Sequence, residues 1–196
     1  MRSFLIIIYL IFSFQTISKA DDIRDFEIEG MSVGDSLLNF FDKSKIDNEK
    51  ELPIWKSKKF LRFVTYQNLN IYDSVLIYFI NEKDNYKISS ISAIKEYPKK
   101  FKNCLKEKDN ITEEFKSLFK NFKTDSYTVS HNQDKSGKSK VNVIDFDLKD
   151  GSGARIMCTD WSEEMEKLEE EYNFVDELRV SLLSKEYFEF LATAWD

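Results

Sequence analysis

Histidine is almost missing from this 196-residue chain, and cysteine, proline and glycine are scarce: one His, two Cys, two Pro and five Gly. A single imidazole excludes a histidine-rich metal centre, because zinc takes four ligands and the chain offers few nitrogen or sulfur donors. Ser-His or Cys-His nucleophilic chemistry would have to run through His131 alone. The few glycines do not assemble a phosphate cradle. Gly137-Lys138-Ser139 imitates the end of one, but the position five residues before Gly137 holds Asn132, whose side chain obstructs the backbone conformations the cradle requires. No apolar run approaches the roughly 20 residues that span a bilayer, so no stable membrane insertion is expected of residues 21–196. Basic residues are outnumbered, 29 against 35 acidic, and the lysines lie scattered between acids, a pattern that speaks against nucleic acid as a partner. The abundance of Lys, Asn, Ile, Phe and Tyr reads as the mark of an AT-rich genome before it reads as function.

What is present begins with an address. Arg2, the apolar stretch at residues 4–14 and the small-residue pattern Ser18-Lys19-Ala20 have the layout of a secretory signal peptide: a cationic head, a short apolar helix and a peptidase site. Residues 1–20 are therefore expected to be removed after Ala20, leaving residues 21–196 as one α+β domain in the periplasm or the medium. Loss of Arg2 and Lys19 deepens the net charge of −6 by two. No cysteine follows the cleavage site, which argues against a lipid anchor.

In an oxidising compartment an even cysteine count points to a disulfide, and Cys104 and Cys158 are the two available. Phe101, Cys104, Leu105, Ile111, Phe115, Leu118, Phe119 and Phe122 recur at a helical period, while Cys158 alternates in phase with Ala154 and Ile156. A helix sulfur and a strand sulfur facing one core are thus expected to pair, contributing about 4 kcal/mol through the closed loop. The alternative is two separate buried thiols.

The remaining pattern alternates helices and strand groups. Ser32 and Asp35 resemble a capping box before the stripe Val33, Leu37, Leu38 and Phe41, which predicts a first helix. Strands are predicted at 59–66, 72–80 and 86–97, with a polar turn at 81–85 between the last two. Pro98 opens the cysteine-bearing helix. Strands at 126–132, 138–148 and 153–159 follow, the last two joined by Asp150-Gly151-Ser152. A short acidic helix carrying Trp161, Met165, Leu168 and Tyr172, a strand at 176–183 and a last helix with Tyr187, Phe188, Leu191 and Trp195 complete the order. The fold class is α+β, an antiparallel sheet with helices packed on one face. The order accommodates an α-βββ unit used twice, without a residue-level repeat between the halves.

Three residues retain a chemical candidacy: His131, Asp145 and Asp147. His131 alternates with Tyr127 and Val129 and reads as a strand-end structural histidine. Asp145, Asp147 and Asp150 precede Gly151, but Lys149 occupies the fifth place of a calcium loop and the glycine comes one residue late, so a half-solvated strand is the simpler reading. Glu163, Glu164, Glu166, Glu169, Glu170 and Glu171 read as a solvated helix face. Asn110-Ile111-Thr112 is a glycosylation sequon on a predicted helix.

The clusters Gly30-Met31-Ser32-Val33-Gly34-Asp35-Ser36-Leu37-Leu38, Asp134-Lys135-Ser136-Gly137-Lys138-Ser139-Lys140-Val141 and Cys158-Thr159-Asp160-Trp161-Ser162 resemble a group of uncharacterised exported proteins of AT-rich marine bacteria, a resemblance that implies no activity. Gly30-Met31-Ser32 also resembles the turn that announces the first helix of the SmpA/OmlA outer-membrane assembly proteins. No cofactor is called for. The residues taken together suit an exported binding or envelope accessory protein without catalytic activity, with another envelope protein or component as partner. The rivals are a small hydrolase using paired carboxylates and a module resembling β-lactamase inhibitors, suggested by the α-βββ order.

Overall fold

The computed structural model describes residues 22–53, 57–119, 121–168, 174–191 and 193. The proposed leader 1–20, Tyr172 and Trp195 lie outside the described residues.

Seven strands form one antiparallel sheet in the order β1-β2-β3-β7-β6-β5-β4. They are β1 Phe60–Thr65, β2 Ser74–Ile80, β3 Ile88–Glu96, β4 Phe122–Ser130, β5 Lys140–Leu148, β6 Gly153–Asp160 and β7 Glu177–Leu183. The expected α+β class therefore holds. Two three-stranded meanders approach β7 from opposite sides, so the last strand stitches β3 to β6 and closes one sheet. The α-helices among the described residues are α1 Lys43–Glu49, α2 Phe101–Leu118, α3 Glu163–Glu166 and α4 Lys185–Leu191, with short 3₁₀ turns at Ile23–Asp25 and Leu37–Asn39.

Strand alternation divides the side chains between two faces. The first face carries Phe63, Ile77, Ile91, Leu178, Ile156 and Phe146, all buried, and packs beneath α2 and the segment before α1. Here Cys104 on α2 meets Cys158 on β6 in a disulfide with a Cα–Cα distance of 6.0 Å, as the two periodicities require. Phe115 and Phe119 at the end of α2 interlock with Phe146 at centroid distances of 5.6 and 5.7 Å. Helix α4 lies over one end of the second face, where Tyr187 and Phe190 pack on Phe60 at 5.0 and 4.9 Å. Ser184 caps α4 by accepting from the Tyr187 N–H at 3.1 Å.

Three boundaries differ from the sequence pattern. No α-helix starts at Ser32: Asp35 accepts from the Ser32 N–H at 2.9 Å, but Gly34 takes φ +97° and Ser36 is extended. Only a 3₁₀ turn, Leu37–Asn39, follows, and Leu38 is exposed rather than part of an inward stripe. Next, β4 begins at Phe122, which leaves the helix period to pair with Leu148 and pack 5.5 Å from Phe146. Among the described residues the acidic helix is a single turn, Glu163–Glu166, and the Ser162 hydroxyl, instead of capping it, donates to Asp134 at 3.1 Å; Leu168 is exposed, and residues 169–171 lie outside the described residues.

Candidate functional site

Among the described residues no helix covers the middle of the second face, and a groove of about 620 Å³ runs there. Its floor is polar: Ser90 and Ser92 of β3 and Ser181 of β7 alternate outward from the core, and Ser92 and Ser181 share a hydroxyl hydrogen bond of 2.8 Å. Small side chains in the central strands leave the depression, because their neighbours on the same face are larger. Tyr78 and Tyr187 stack at 5.1 Å along one flank. His131, Trp161 and Phe174 form a ladder along the other, with centroids 4.2 and 4.6 Å apart.

Three of the chain's five arginines, Arg62, Arg155 and Arg179, line this groove. Each sits at the centre of an apolar-Arg-apolar triplet, so strand alternation sends the guanidinium to the face away from the core. Each is held by a carboxylate. Arg62 grips Glu51, whose backbone also pairs with that of Arg62 outside β1. Arg155 donates to Asp145 from Nε at 2.6 Å and from Nη2 at 2.9 Å, and Tyr127 donates to the same carboxylate at 3.0 Å. Arg179 donates to Glu177 at 2.6 Å. Such pairs hold the guanidinium planes in fixed orientations. Two polar atoms of the groove residues, Ser90 Oγ and Arg179 Nε, are buried without a hydrogen-bond partner.

His131 follows the end of β4, as the alternation predicted, with its N–H bonded to the Ser139 carbonyl at 3.0 Å. Its ring belongs to the aromatic ladder. Burial pushes the imidazole pKa below its ordinary value and the nearby Arg179 charge adds to this, against a smaller opposing effect of Asp134. The ring is thus neutral at neutral pH, with Nδ1 accepting from the Gln133 N–H at 3.3 Å.

Asp145, Asp147 and Asp150 do not converge. Asp145 is engaged by Arg155 and Tyr127, Asp150 accepts from the Ser152 N–H and hydroxyl at 3.0 and 2.6 Å, and Asp147 Oδ1 is buried without a partner. No group of three or more His, Cys, Asp or Glu side chains is gathered as a metal site among the described residues.

The carboxyl with the most raised pKa lies elsewhere. Asp176, just before β7, is pushed up to about 6 by burial, with Asp160 and Glu166 adding repulsion, although it accepts the Trp161 N–H at 2.9 Å. Asp160 is raised by burial too. Neither lines the groove, where Glu177 is the one acid among the described lining residues.

The composition-led reading, which saw scattered lysines, missed the arginine triplets. It also missed Asp134, a buried carboxylate that accepts from the N–H and hydroxyl of both Ser136 and Ser139 and from the Ser162 hydroxyl. These donors, the Ser136 and Ser139 hydroxyls foremost, hold its pKa well below the usual carboxylate range. Asp134 thereby ties the β4–β5 loop, which carries His131, to the end of β6, which carries Trp161. The signal was the Asp-x-Ser spacing of an Asx turn, repeated at Asp150-x-Ser152.

Comparison with family models, with curated proteins and with solved structures gave no match for this chain.

Proposed function

We propose that this is an exported binding or accessory protein of the cell envelope that works without catalysis, through the groove on the second sheet face. The observation that carries this reading is the groove's chemistry: arginines fixed by carboxylates, aromatic flanks and a serine floor, with its single lining acid held by Arg179. Fixed donors and aromatic planes favour recognition, whereas hydrolysis by paired carboxylates needs two acids facing one cleft. Export to the periplasm or the medium is supported by the leader-like residues 1–20 and by the disulfide. The resemblance to exported proteins of marine bacteria points to the same compartment. No helix among the described residues is long and apolar enough to cross a membrane.

Native mass spectrometry of the protein isolated from its own envelope tests the reading, with Ser181→Trp as the filled-groove control and circular dichroism to verify its fold. The wild type should carry a non-covalent adduct that the control lacks, and neither should turn over ester, peptide or glycoside substrates. Turnover by the wild type that is lost in the control would replace binding with catalysis.

A further inference from the structure

The two edges of the sheet are finished differently. At β1 the edge is closed: Glu51 and Arg62 exchange backbone hydrogen bonds of 2.8 Å on its outer side, and no residue of Phe60–Thr65 is exposed. At β4 it is open. Every residue of Phe122–Ser130 except Phe122 and Tyr127 is exposed, and the strand pairs with β5 in unbroken register over its whole length. The bond from the His131 N–H to the Ser139 carbonyl fixes the phase of that ladder. The backbone groups of Lys123, Asp125, Tyr127 and Val129 therefore turn toward β5. Those of Thr124, Ser126, Thr128 and Ser130 turn outward, where no described residue bonds to them. Such an edge is ordinarily blunted by a proline, a bulge or a run of charge. Here there is neither proline nor bulge, Thr124, Tyr127, Thr128 and Val129 favour an extended strand, and the two charges, Lys123 and Asp125, cancel.

We propose that β4 pairs with β4 of a second copy of this chain, antiparallel about a two-fold axis at Ser126, so that two molecules share one continuous sheet. A second copy fits because an antiparallel edge is complementary to itself. With all 9 residues overlapping, the outward groups of each strand meet those of the other in about ten backbone hydrogen bonds. The side chains agree with that register. Ser126 stands opposite Ser126 and Thr124 opposite Thr128, hydroxyl pairs that favour cross-strand contact, while Asp125 meets Tyr127 and Lys123 meets Val129. No like charges oppose each other. The proposal is independent of the groove, whose described lining includes no residue of β4.

Sedimentation velocity over a range of concentrations, with amide hydrogen exchange read by NMR at both ends of that range, tests the pairing. The protein should pass from monomer to dimer as it is concentrated. The Thr124, Ser126, Thr128 and Ser130 amides should go together from rapid to slowed exchange, whereas those of Lys123, Asp125, Tyr127 and Val129 stay protected throughout. Ser126→Pro removes an outward N–H without touching the β5 ladder and should weaken the dimer by at least about tenfold. Ser126→Lys and Ser126→Glu each place like charges at the axis, so either alone should be weakened similarly and an equimolar mixture should restore the dimer. Protection of the inward amides verifies in each variant that β4 still folds onto β5, and the charge pair serves where the proline variant does not fold. A monomer at every concentration would overturn the proposal. So would a dimer whose outward β4 amides stay unprotected, or one that all three substitutions leave intact. Failure of the mixture to restore association would overturn the two-fold register at Ser126.

Discussion

Buried polar side chains decide more at the residue scale than the candidates with the most reactive chemistry do. Asp176 is the sharpest case, because its carboxyl is 4% exposed and its pKa is pushed up to about 6. A carboxyl whose folded pKa exceeds its unfolded value near 4 binds its proton more tightly in the native state, so its contribution to stability declines between about pH 4 and pH 6 and stays low above. Asp176→Asn removes that ionisation and keeps an oxygen to accept the Trp161 N–H. The variant should therefore melt higher than the wild type at pH 7.5 and equally at pH 4, by calorimetry at both pH values. An equal gain at both would mean that ionisation is not the cause. Asp134 is the opposite kind of acid, held charged by the serines around it, and its role was legible only as a turn because its donors Ser139 and Ser162 come from separate segments. The same limit applied to His131. Its strand-end position followed from alternation with Tyr127 and Val129, but its contact with Trp161 depends on two loops meeting.

Among the elements, those with long local periods were legible and those settled by one backbone angle or one tertiary contact were not. Strands β2, β3, β5, β6 and β7 start and stop within two residues of their alternating patterns, and the Cys104 and Cys158 periodicities pointed both sulfurs at one core. The helix expected at Ser32 failed on Gly34, whose left-handed φ of +97° breaks the helical path although the apolar spacing continues. Phe122 failed for a different reason, since its helical spacing was outweighed by the ring contact with Phe146 and the pairing with Leu148. The disulfide links α2 to β6 across a sequence separation of 54 residues, so replacing both cysteines by alanine should lower stability by about 4 kcal/mol in the chain-entropy description. Urea unfolding of the double variant against the wild type measures this. A loss under about 1 kcal/mol would show that α2 is held to the sheet by its aromatic contacts alone.

For the whole molecule the sheet acts as a partition: one face is given to the core and the disulfide-bound helix, the other to a groove walled by parts of the sequence that lie far apart. Arg62, Arg155 and Arg179 come from β1, β6 and β7, and nothing in their spacing announces that they share one floor; that follows only from β7 entering the sheet between β3 and β6. The central claim is that this second face, and not the face under α2, is where the protein meets its partner. Site-specific photo-crosslinking in the native envelope tests it most directly, with a benzophenone amino acid placed at Gln133 on the groove rim or at Glu114 on the exposed side of α2. The account predicts an adduct from position 133 that disappears when Ser181→Trp fills the groove, and none from position 114. An adduct from position 114 that survives Ser181→Trp, with position 133 silent, would contradict it.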